Sequence, residues 1–313
     1  YSDGRRPDSV EFTDAKEDAL RRDFTINGMF IDPTTNQLID YVNGEDDLSK
    51  RIIRAIGTPE DRIQEDKLRM LRAVRFAATY EFEIEPATML AIQNAATDIS
   101  VVSGERIGTE MRRMLAHPNR AIAISLLRET GLIEKIIPDA TSLHAHNQTW
   151  DNLLSQLRRL EGNFESALAV LIEPIFTDSV LNLVSAGWKL SNHEIKSVRW
   201  IHGNWKKLID AEQHPWSVIQ PLLTHRQSHR ALAMAACQTE TAGAGIQFCL
   251  DRLAWESERL NPPSLLDGST LIKMGITPGP RFSLILSDVR AAQLDGEIST
   301  VEQAVEKAQQ SAR

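Results

Sequence analysis

Two short blocks of charged residues hold the side chains best suited to binding a nucleotide. In the first block, Arg22 and Asp23 come directly before an extended apolar segment, residues 24–31. A carboxylate accepts hydrogen bonds from ribose hydroxyls, and an adjacent arginine can face a phosphate or the ribose edge. The pair therefore suits a ribonucleotide. An Arg/Asp ion pair that closes a helix-to-strand turn explains the same two residues equally well.

The second block places Asp66 and Arg69 three residues apart. On a helix, side chains at this spacing are neighbours and can reach one small ligand. Cytosine and adenine present an amino donor beside a ring-nitrogen acceptor, whereas uracil and guanine carry a carbonyl in place of that amino group. A carboxylate beside a guanidinium thus predicts selection of C and A, because a wrong base leaves a buried group unpaired at about 1–3 kcal/mol. A solvated helix face with internal ion pairs is the usual alternative for such a run.

The order and spacing of two longer segments, residues 21–30 and 65–77, favour the nucleotide interpretation. They resemble the sugar-binding and base-templating motifs of class II tRNA nucleotidyltransferases and bacterial poly(A) polymerases. The resemblance implies base templating by three residues: Glu65, Asp66 and Arg69. It implies ribose and phosphate binding by four residues: Arg22, Asp23, Asn27 and Arg72. Helix geometry directs Arg75 away from Asp66, which indicates a structural role for Arg75.

Residues 104–138 resemble the neck of the same family, and their arginines are the candidates for RNA binding. These candidates are Arg106, Arg112 and Arg113, together with Arg120. The formal charge of the chain is −8. Because proteins that coat nucleic acid are usually basic overall, any RNA contact must use a local patch. Ordinary solvated helix faces explain these arginines about as well.

The coarse pattern predicts a mainly α fold, a remnant of a nucleotidyltransferase α/β head followed by a helical neck, body and tail. A hairpin pairs residues 29–31 with 37–39, and a third extended run covers 51–56. Helical patterns begin after Thr58, a predicted cap followed by Pro59. The predicted domains are 1–58, the C-terminal part of the head; 59–140, the neck; 141–255, the body; and 256–313, the tail.

The predicted body resembles a degenerate His-Asp phosphohydrolase domain. Such a domain needs a His-Asp pair and further ligands for its metals, and the sequence contains no His-Asp dipeptide. His193-Glu194 also fails the zinc pattern, because Ser197 stands four residues beyond His193. The tail segments 267–280 and 292–298 match the C-terminal signature of the tRNA-specific subgroup. We therefore expect a scaffold without phosphohydrolase activity.

Nucleotide addition to an RNA 3′ hydroxyl is phosphoryl transfer, which normally uses two Mg²⁺ ions held by carboxylates. The family resemblance implies that these acids come from a Gly-Gly loop, an Asp-x-Asp strand and a later strand, all of which would precede Tyr1. Neither Gly-Gly nor an Asp-x-Asp strand occurs in the sequence. We expect no catalytic residue and no metal ligand within residues 1–313. The chain alone should therefore be catalytically inactive, whereas the longer parent enzyme is active.

The leading hypothesis is thus an RNA nucleotidyltransferase that adds CCA, or A, to tRNA and takes tRNA, ATP and CTP as partners. A poly(A) polymerase of the same fold uses similar motifs, although the tail signature favours the tRNA enzyme. A non-catalytic RNA-binding helical protein is the third hypothesis. With two cysteines, no CxxC spacing and no apolar run near the roughly 18 residues of a membrane span, the sequence predicts a cytoplasmic protein without membrane partners. It leaves the oligomeric state open.

Overall fold

The computed structural model describes residues 14–239 and 243–312, which are mainly helical as predicted. The α-helices are Ala15–Arg21 (α1), Gly44–Lys50 (α2), Pro59–Glu65 (α3), Arg69–Tyr80 (α4), Pro86–Ala95 (α5), Gly104–Ala116 (α6), Arg120–Glu129 (α7), Ile133–Ile136 (α8), Ala140–Leu143 (α9), Asn147–Arg159 (α10), Phe164–Ile172 (α11), Asp178–Trp188 (α12), Asn192–Asn204 (α13), Lys206–Ile209 (α14), Trp216–Thr224 (α15), Ser228–Cys237 (α16), Ala244–Leu253 (α17), Ser257–Leu260 (α18), Gly268–Lys273 (α19), Pro280–Leu294 (α20) and Val301–Ala312 (α21). The strands are Met29–Ile31 (β1), Leu38–Asp40 (β2), Ile52–Ile53 (β3) and Glu83–Ile84 (β4). Short 3₁₀ helices cover Thr25–Asn27, Ala96–Val101, Glu173–Ile175 and Ala211–Gln213.

The chain divides into two compact units. The first contains the described residues up to Arg158 together with Leu171–Ile195. The second contains Arg159–Val170 and the described residues from Lys196 onward. The four domains predicted from the sequence stay a prediction, and residues 1–13 of the predicted head lie outside the described ranges.

The core of the first unit is built on α4, which packs against α6 and α7. Apolar residues of α4 recur at helical spacing, so one side of the helix is buried. The fully buried side chains of this contact are Met70, Leu71, Val74, Met111, Leu115, Ile124 and Leu127. Burying each such side chain contributes about 1.5–3 kcal/mol. This packing fixes α4 and leaves the polar side of its first turn for other contacts.

The predicted hairpin is confirmed, with Met29 opposite Asp40 and Ile31 opposite Leu38. The predicted extended run 51–56 is confirmed in part, since Ala55 forms an antiparallel bridge with Phe24 while Arg51 has a left-handed backbone. Only Ile52–Ile53 forms a strand, and it pairs in parallel with Glu83–Ile84. Because its partner comes after α4 in the chain, this pairing could not be read from local pattern.

The helix expected after Thr58 is interrupted, because α3 ends at Glu65 and α4 begins at Arg69. Asp66 has extended backbone angles, φ −145° and ψ 102°. Its Oδ1 accepts a hydrogen bond from the backbone N–H of Leu68 at 3.1 Å. Asp side chains compete with helical hydrogen bonding in this way. Thr58 precedes Pro59 as predicted, but its side chain makes no capping hydrogen bond.

Gly44 and Asp47 connect α2 to the 3₁₀ turn Thr25–Asn27. Gly44 begins α2 and approaches the 3₁₀ turn so closely that an added Cβ would lie 2.3 Å from the carbonyl oxygen of Thr25. Asp47 lies within α2, is buried, and accepts hydrogen bonds from the Thr25 hydroxyl at 2.8 Å and from Arg54 Nε at 3.0 Å. These contacts anchor the turn that carries the first charged block.

The second unit is an array of helices in which α15 packs on α20, and α20 packs on α21. The predicted tail helices are confirmed at Pro280–Leu294 and Val301–Ala312. Their buried cluster consists of Leu266, Leu271, Ile285, Val289, Ala292, Ile298, Ala304 and Ala308. In the described ranges, no helix combines the length and apolar character needed to cross a membrane.

Candidate nucleotide-binding site

Both charged blocks line a single cleft in the first unit, with a volume of about 650 Å³. The lining residues are Arg22, Asp23, Asn27, Asp66, Arg69, Arg72 and Phe76. Volumes of about 300–1,000 Å³ are typical of small-ligand sites. The lining has three arginines and two aspartates, a net charge of +1 that suits an anionic ligand. Six of these seven residues were predicted from the sequence.

Asp23 is buried and its carboxylate is fully engaged. Oδ1 accepts hydrogen bonds from the backbone N–H of Phe24 at 3.0 Å and from Asn27 Nδ2 at 3.1 Å. Oδ2 accepts from Arg72 Nε at 2.7 Å and faces Arg72 Nη2 at 2.5 Å. Since a carboxylate offers about four acceptor positions, these four donors fill it. Asp23 therefore orients Asn27 and Arg72 rather than offering a free acceptor.

Arg22 is held in place by its own segment of the chain. Its Nε and Nη2 donate to Asp18 Oδ2 at 3.2 and 2.9 Å, and its Nη1 donates to the carbonyl oxygen of Asn27 at 2.9 Å. The guanidinium lies 4.7 Å from the centroid of the Phe30 ring. Of the five N–H donors of an arginine, two are left for a ligand.

Asp66 pairs with Arg106, a residue predicted to bind RNA. Arg106 Nη2 donates to Asp66 Oδ2 at 2.7 Å, and the two side chains are 50% and 33% exposed. Burial raises the pKa of Asp66, but hydrogen bonds from Arg106 and Leu68 N–H lower it more, so the net pKa lies below 3.8. Asp66 is thus an anion at neutral pH with two acceptor positions still open.

Glu65 and Arg69 form a second ion pair, although Glu65 does not line the cleft. Arg69 Nη1 donates to Glu65 Oε2 at 2.8 Å and to the carbonyl oxygen of Arg62 at 2.6 Å. The hydrogen bond from Arg69 is the main reason that the pKa of Glu65 lies below 4.5. Glu65 therefore holds the Arg69 guanidinium from outside the cleft, and its predicted supporting role stays a prediction.

Phe76 lines the cleft but was predicted only as part of the apolar face of its helix. It lies one turn beyond Arg72, whose guanidinium is 5.3 Å from the centroid of its ring. The i, i+4 spacing from a charged cleft residue is the sequence signal that could have identified it. The ring gives the otherwise polar cleft one aromatic wall.

The remaining arginine predictions have different outcomes. Arg112 makes a two-point ion pair with Glu194, with N–O distances of 2.6 and 2.9 Å. Arg113 is exposed and reaches Glu110 at 3.4 Å. Arg120 is only 4% exposed and donates to the carbonyl oxygen of His117, so its predicted RNA-facing position is wrong. The RNA-binding roles of Arg106, Arg112 and Arg113 stay predictions.

Arg75 lies outside the cleft, as predicted, and pairs with the buried Glu110. Glu194, the partner of Arg112, has a structural role in the first unit. The backbone N–H of Ser191 donates to Glu194 Oε2 at 2.7 Å, while that of Glu194 donates to the Ser191 hydroxyl oxygen at 3.2 Å. This reciprocal pair is a capping box at the start of α13.

The described ranges contain no group of three or more His, Cys, Asp or Glu side chains arranged to hold a metal ion. They therefore do not supply the carboxylate cluster that a pair of Mg²⁺ ions needs. The expectation that residues 1–313 are inactive on their own stays a prediction.

Comparison with known proteins identifies the class. The family model for the poly A polymerase head domain matches residues 1–54, and the model described as a probable RNA and SrmB-binding site of polymerase A matches residues 81–143. The first match contains the cleft residues Arg22, Asp23 and Asn27, and the second overlaps the predicted neck, while the block 65–77 lies between the two matches. The fold and these matches indicate a nucleotidyltransferase.

Full-length relatives narrow the class further. The CCA-adding enzyme of Lactobacillus johnsonii is 32% identical over 306 residues, which cover 97% of this chain and 75% of the relative. The Bacillus stearothermophilus CCA-adding enzyme, solved in complex with CTP, superposes with a TM-score of 0.82 at 24% identity, over 97% and 76% of the two chains. The Thermotoga maritima CCA-adding enzyme, solved with tRNA-CCA, gives a TM-score of 0.66 at 25% identity, over 96% and 74%.

The chain belongs to the CCA-adding enzyme family, whose members are nucleotidyltransferases. The resemblance seen in the sequence is confirmed, and the poly(A) polymerase alternative is not favoured by these relatives. Membership of an enzyme family also leaves the hypothesis of a non-catalytic RNA-binding protein without support. Nucleotidyltransferases of this kind generally use Mg²⁺.

Proposed function

We propose that this chain selects CTP and ATP for addition to the 3′ end of tRNA. The observation that carries the proposal is that two blocks about 40 residues apart line one cleft. The first block contributes Arg22 and Asn27, and the second contributes Asp66, Arg69 and Arg72. A base and a ribose are parts of one ligand, so their binding groups must meet in this way.

The base is read by Asp66 and Arg69. The open acceptor positions of Asp66 receive the amino group of cytosine or adenine. Arg69 has its Nε–H and one Nη2–H left, which form one edge of the planar guanidinium and donate to the ring nitrogen of the base. Uracil or guanine would put a carbonyl oxygen against the Asp66 carboxylate, which is repulsive and leaves both groups unpaired.

The sugar and triphosphate are held by the side chains that Asp23 orients. Asp23 fixes Asn27 and Arg72, and Arg72 keeps its Nη1–H donors for an anionic or hydroxyl oxygen. Arg22 contributes its two remaining donors. Phe76 packs against the apolar edge of the nucleoside.

The partners follow from the relatives. CTP and ATP supply the nucleotides that the name CCA-adding specifies, and the Thermotoga maritima relative was solved with tRNA-CCA. RNA binding through Arg106, Arg112 and Arg113 and the use of Mg²⁺ belong to this proposal. So does a place in the bacterial cytoplasm, where tRNA, CTP and ATP occur together.

Equilibrium binding of four nucleoside triphosphates tests the proposal without requiring turnover. Isothermal titration calorimetry should give Kd values for CTP and ATP at least about tenfold lower than for UTP and GTP, because one unpaired group costs about 1.4 kcal/mol or more. Binding of 2′-deoxy-CTP should be weaker than that of CTP. Equal affinity for all four nucleotides, or no binding at all, would contradict the proposal.

Transfer is tested separately. Incubation of residues 1–313 with Mg²⁺, CTP, ATP and a tRNA lacking its CCA end tests the predicted inactivity, which an extended tRNA would contradict. Any extended tRNA, made by this chain or by a longer form of the protein, is then sequenced. Long A tails without C would overturn the preference for CCA addition over poly(A) synthesis.

A further inference from the structure

Arg62 joins the two sides of the cleft without lining it. It lies in α3, and its Nη2 donates to the carbonyl oxygens of both Arg21 and Arg22, each at 2.7 Å. Its Nη1 pairs with Glu65. One guanidinium therefore connects the backbone that carries Arg22 and Asp23 to the helix that leads into Asp66.

Arg69 makes the same connection a second time. Its Nη1 donates to the carbonyl oxygen of Arg62 at 2.6 Å and to Glu65 at 2.8 Å, and its Nη2 is 3.4 Å from the carbonyl oxygen of Arg21. Glu65 Oε2 thus accepts from both arginines. Arg69, the base-reading arginine, is therefore hydrogen-bonded both to Arg62 and to the segment that precedes Arg22.

The energetic setting of Arg62 indicates that this geometry is specific. Its side chain is only 12% exposed. Its buried Nε has no hydrogen-bond partner among the described residues, which is unfavourable for a buried donor. Burial, and then repulsion from Arg69, lower the pKa of Arg62. A chain selected for stability alone would have little reason to place a guanidinium here.

We propose that Arg62 is a positioning residue for nucleotide selection. It sets the distance between the segment of Arg22 and Asp23, in which Asp23 orients the ribose-binding side chains, and the base-reading residues Asp66 and Arg69. This inference rests on the proposed function, since it assumes that one nucleotide spans both sides. Its planar fork reaches two carbonyl oxygens and a carboxylate at once. Lysine keeps the charge but presents its donors from a single point.

The test is Arg62→Lys in the full chain, with Kd measured for CTP, ATP and UTP and the thermal midpoint recorded in parallel. We expect the Kd for CTP and ATP to rise about tenfold, with the preference over UTP reduced by a similar factor, because misplacement by about 1 Å can cost up to 100-fold. Arg230→Lys is the matched control. Arg230 also pairs with a carboxylate, Glu165, and its buried Nε also has no hydrogen-bond partner among the described residues. It belongs to the second unit and does not line the cleft.

Arg230→Lys should lower the thermal midpoint but leave the CTP to UTP preference within about twofold. If Arg62→Lys lowers the midpoint and leaves the preference intact, Arg62 is only structural and the inference is overturned. If Arg62→Lys does not fold, Glu65→Gln decides, because Glu65 is exposed and its loss loosens the same contacts. An unchanged preference in Glu65→Gln would then overturn the inference. A wild-type chain that does not discriminate C and A from U and G would overturn the proposed function itself, and this inference with it.

Discussion

Arg106 and Arg112 lie on the same helix, α6, and both pair with a carboxylate, yet the two pairs differ in kind. Arg106 touches Asp66 through one hydrogen bond, and the two side chains are half or one-third exposed. Arg112 forms a bidentate ion pair with Glu194, and the two side chains are 30% and 14% exposed. An exposed single bond can open for a ligand, whereas a shielded two-point pair holds structure.

The surroundings of the two pairs explain the difference. Near Arg112, α6 approaches the end of α12 so closely that Gly108 faces the carbonyl of Trp188. Arg112 also donates to the carbonyl oxygen of Lys189 at 3.2 Å. Arg106 lies at the start of α6, beside the cleft. The two arginines have the same predicted role, but different neighbouring residues give them different contacts. Those neighbours cannot be identified from the local sequence.

The largest expected effect is at Gly108. In Gly108→Ala the new Cβ would lie 2.0 Å from the carbonyl oxygen of Trp188, so the backbone must move. We expect the free energy of unfolding to fall by about 3 kcal/mol in denaturant titrations. Gly187→Ala is the control, since nothing lies within 4 Å of its Cβ. Equal unfolding curves for the two variants would contradict the close approach.

A smaller loss is expected at Glu194. Hydrogen bonding to Arg112 lowers the pKa of Glu194 to about 2, against an ordinary 4.5. Because the folded pKa is depressed, the stabilisation is complete above the unfolded pKa and is lost as pH falls towards 2. Glu194→Gln should cost about 2 kcal/mol at pH 7 and about half of that at pH 3. A difference between variant and wild type that did not change with pH would refute the charge pair.

Asp66 should affect nucleotide choice more than stability. Asp66→Asn places an amide donor where the carboxylate accepted, so CTP should bind about tenfold more weakly, while the UTP affinity should rise. Asp66→Ala should weaken the binding of CTP without raising the affinity for UTP. Calorimetric Kd values for both variants measure this. Unchanged nucleotide preference in both would remove Asp66 from the base-reading role.

The smallest effect is expected at Arg106. Arg106→Ala frees Asp66 but removes one exposed bond, so the Kd for CTP should change by about threefold, corresponding to less than 1 kcal/mol. The measurement also separates the two roles given to Arg106. A change in affinity for tRNA lacking its CCA end, with no change for CTP alone, would favour the predicted RNA contact over a role at Asp66.

Much of the local structure followed from residue pattern. The hairpin strands 29–31 and 38–40 flank a turn, helix 280–294 begins at Pro280, and helix 301–312 is amphipathic. Patterns failed where a distant partner decided the outcome. The strand partner of Ile52–Ile53 is Glu83–Ile84, which follows α4, and Arg120, which was predicted to face RNA, is buried and donates to the carbonyl oxygen of His117.

The candidate site divides in the same way. Six cleft residues were identified because their types and order match a family motif, and motif order is a property of the chain alone. Arg62 and Phe76 were not, because their roles depend on contacts with residues 21–22 and with the wall of the cleft. The templating pair was predicted on one helix, but the helix is interrupted at Asp66, and both side chains nevertheless line the cleft.

Residue chemistry alone specified which groups can read a nucleotide: a carboxylate, several guanidiniums and their spacing in two blocks. The folded chain decided which of those groups remain available. Asp23 is filled by Asn27 and Arg72, Arg112 is taken by Glu194, and Asp66 is held by one exposed bond to Arg106. The reason is physical, since a side chain has a fixed number of donors or acceptors, and only three-dimensional neighbours determine how many are already used.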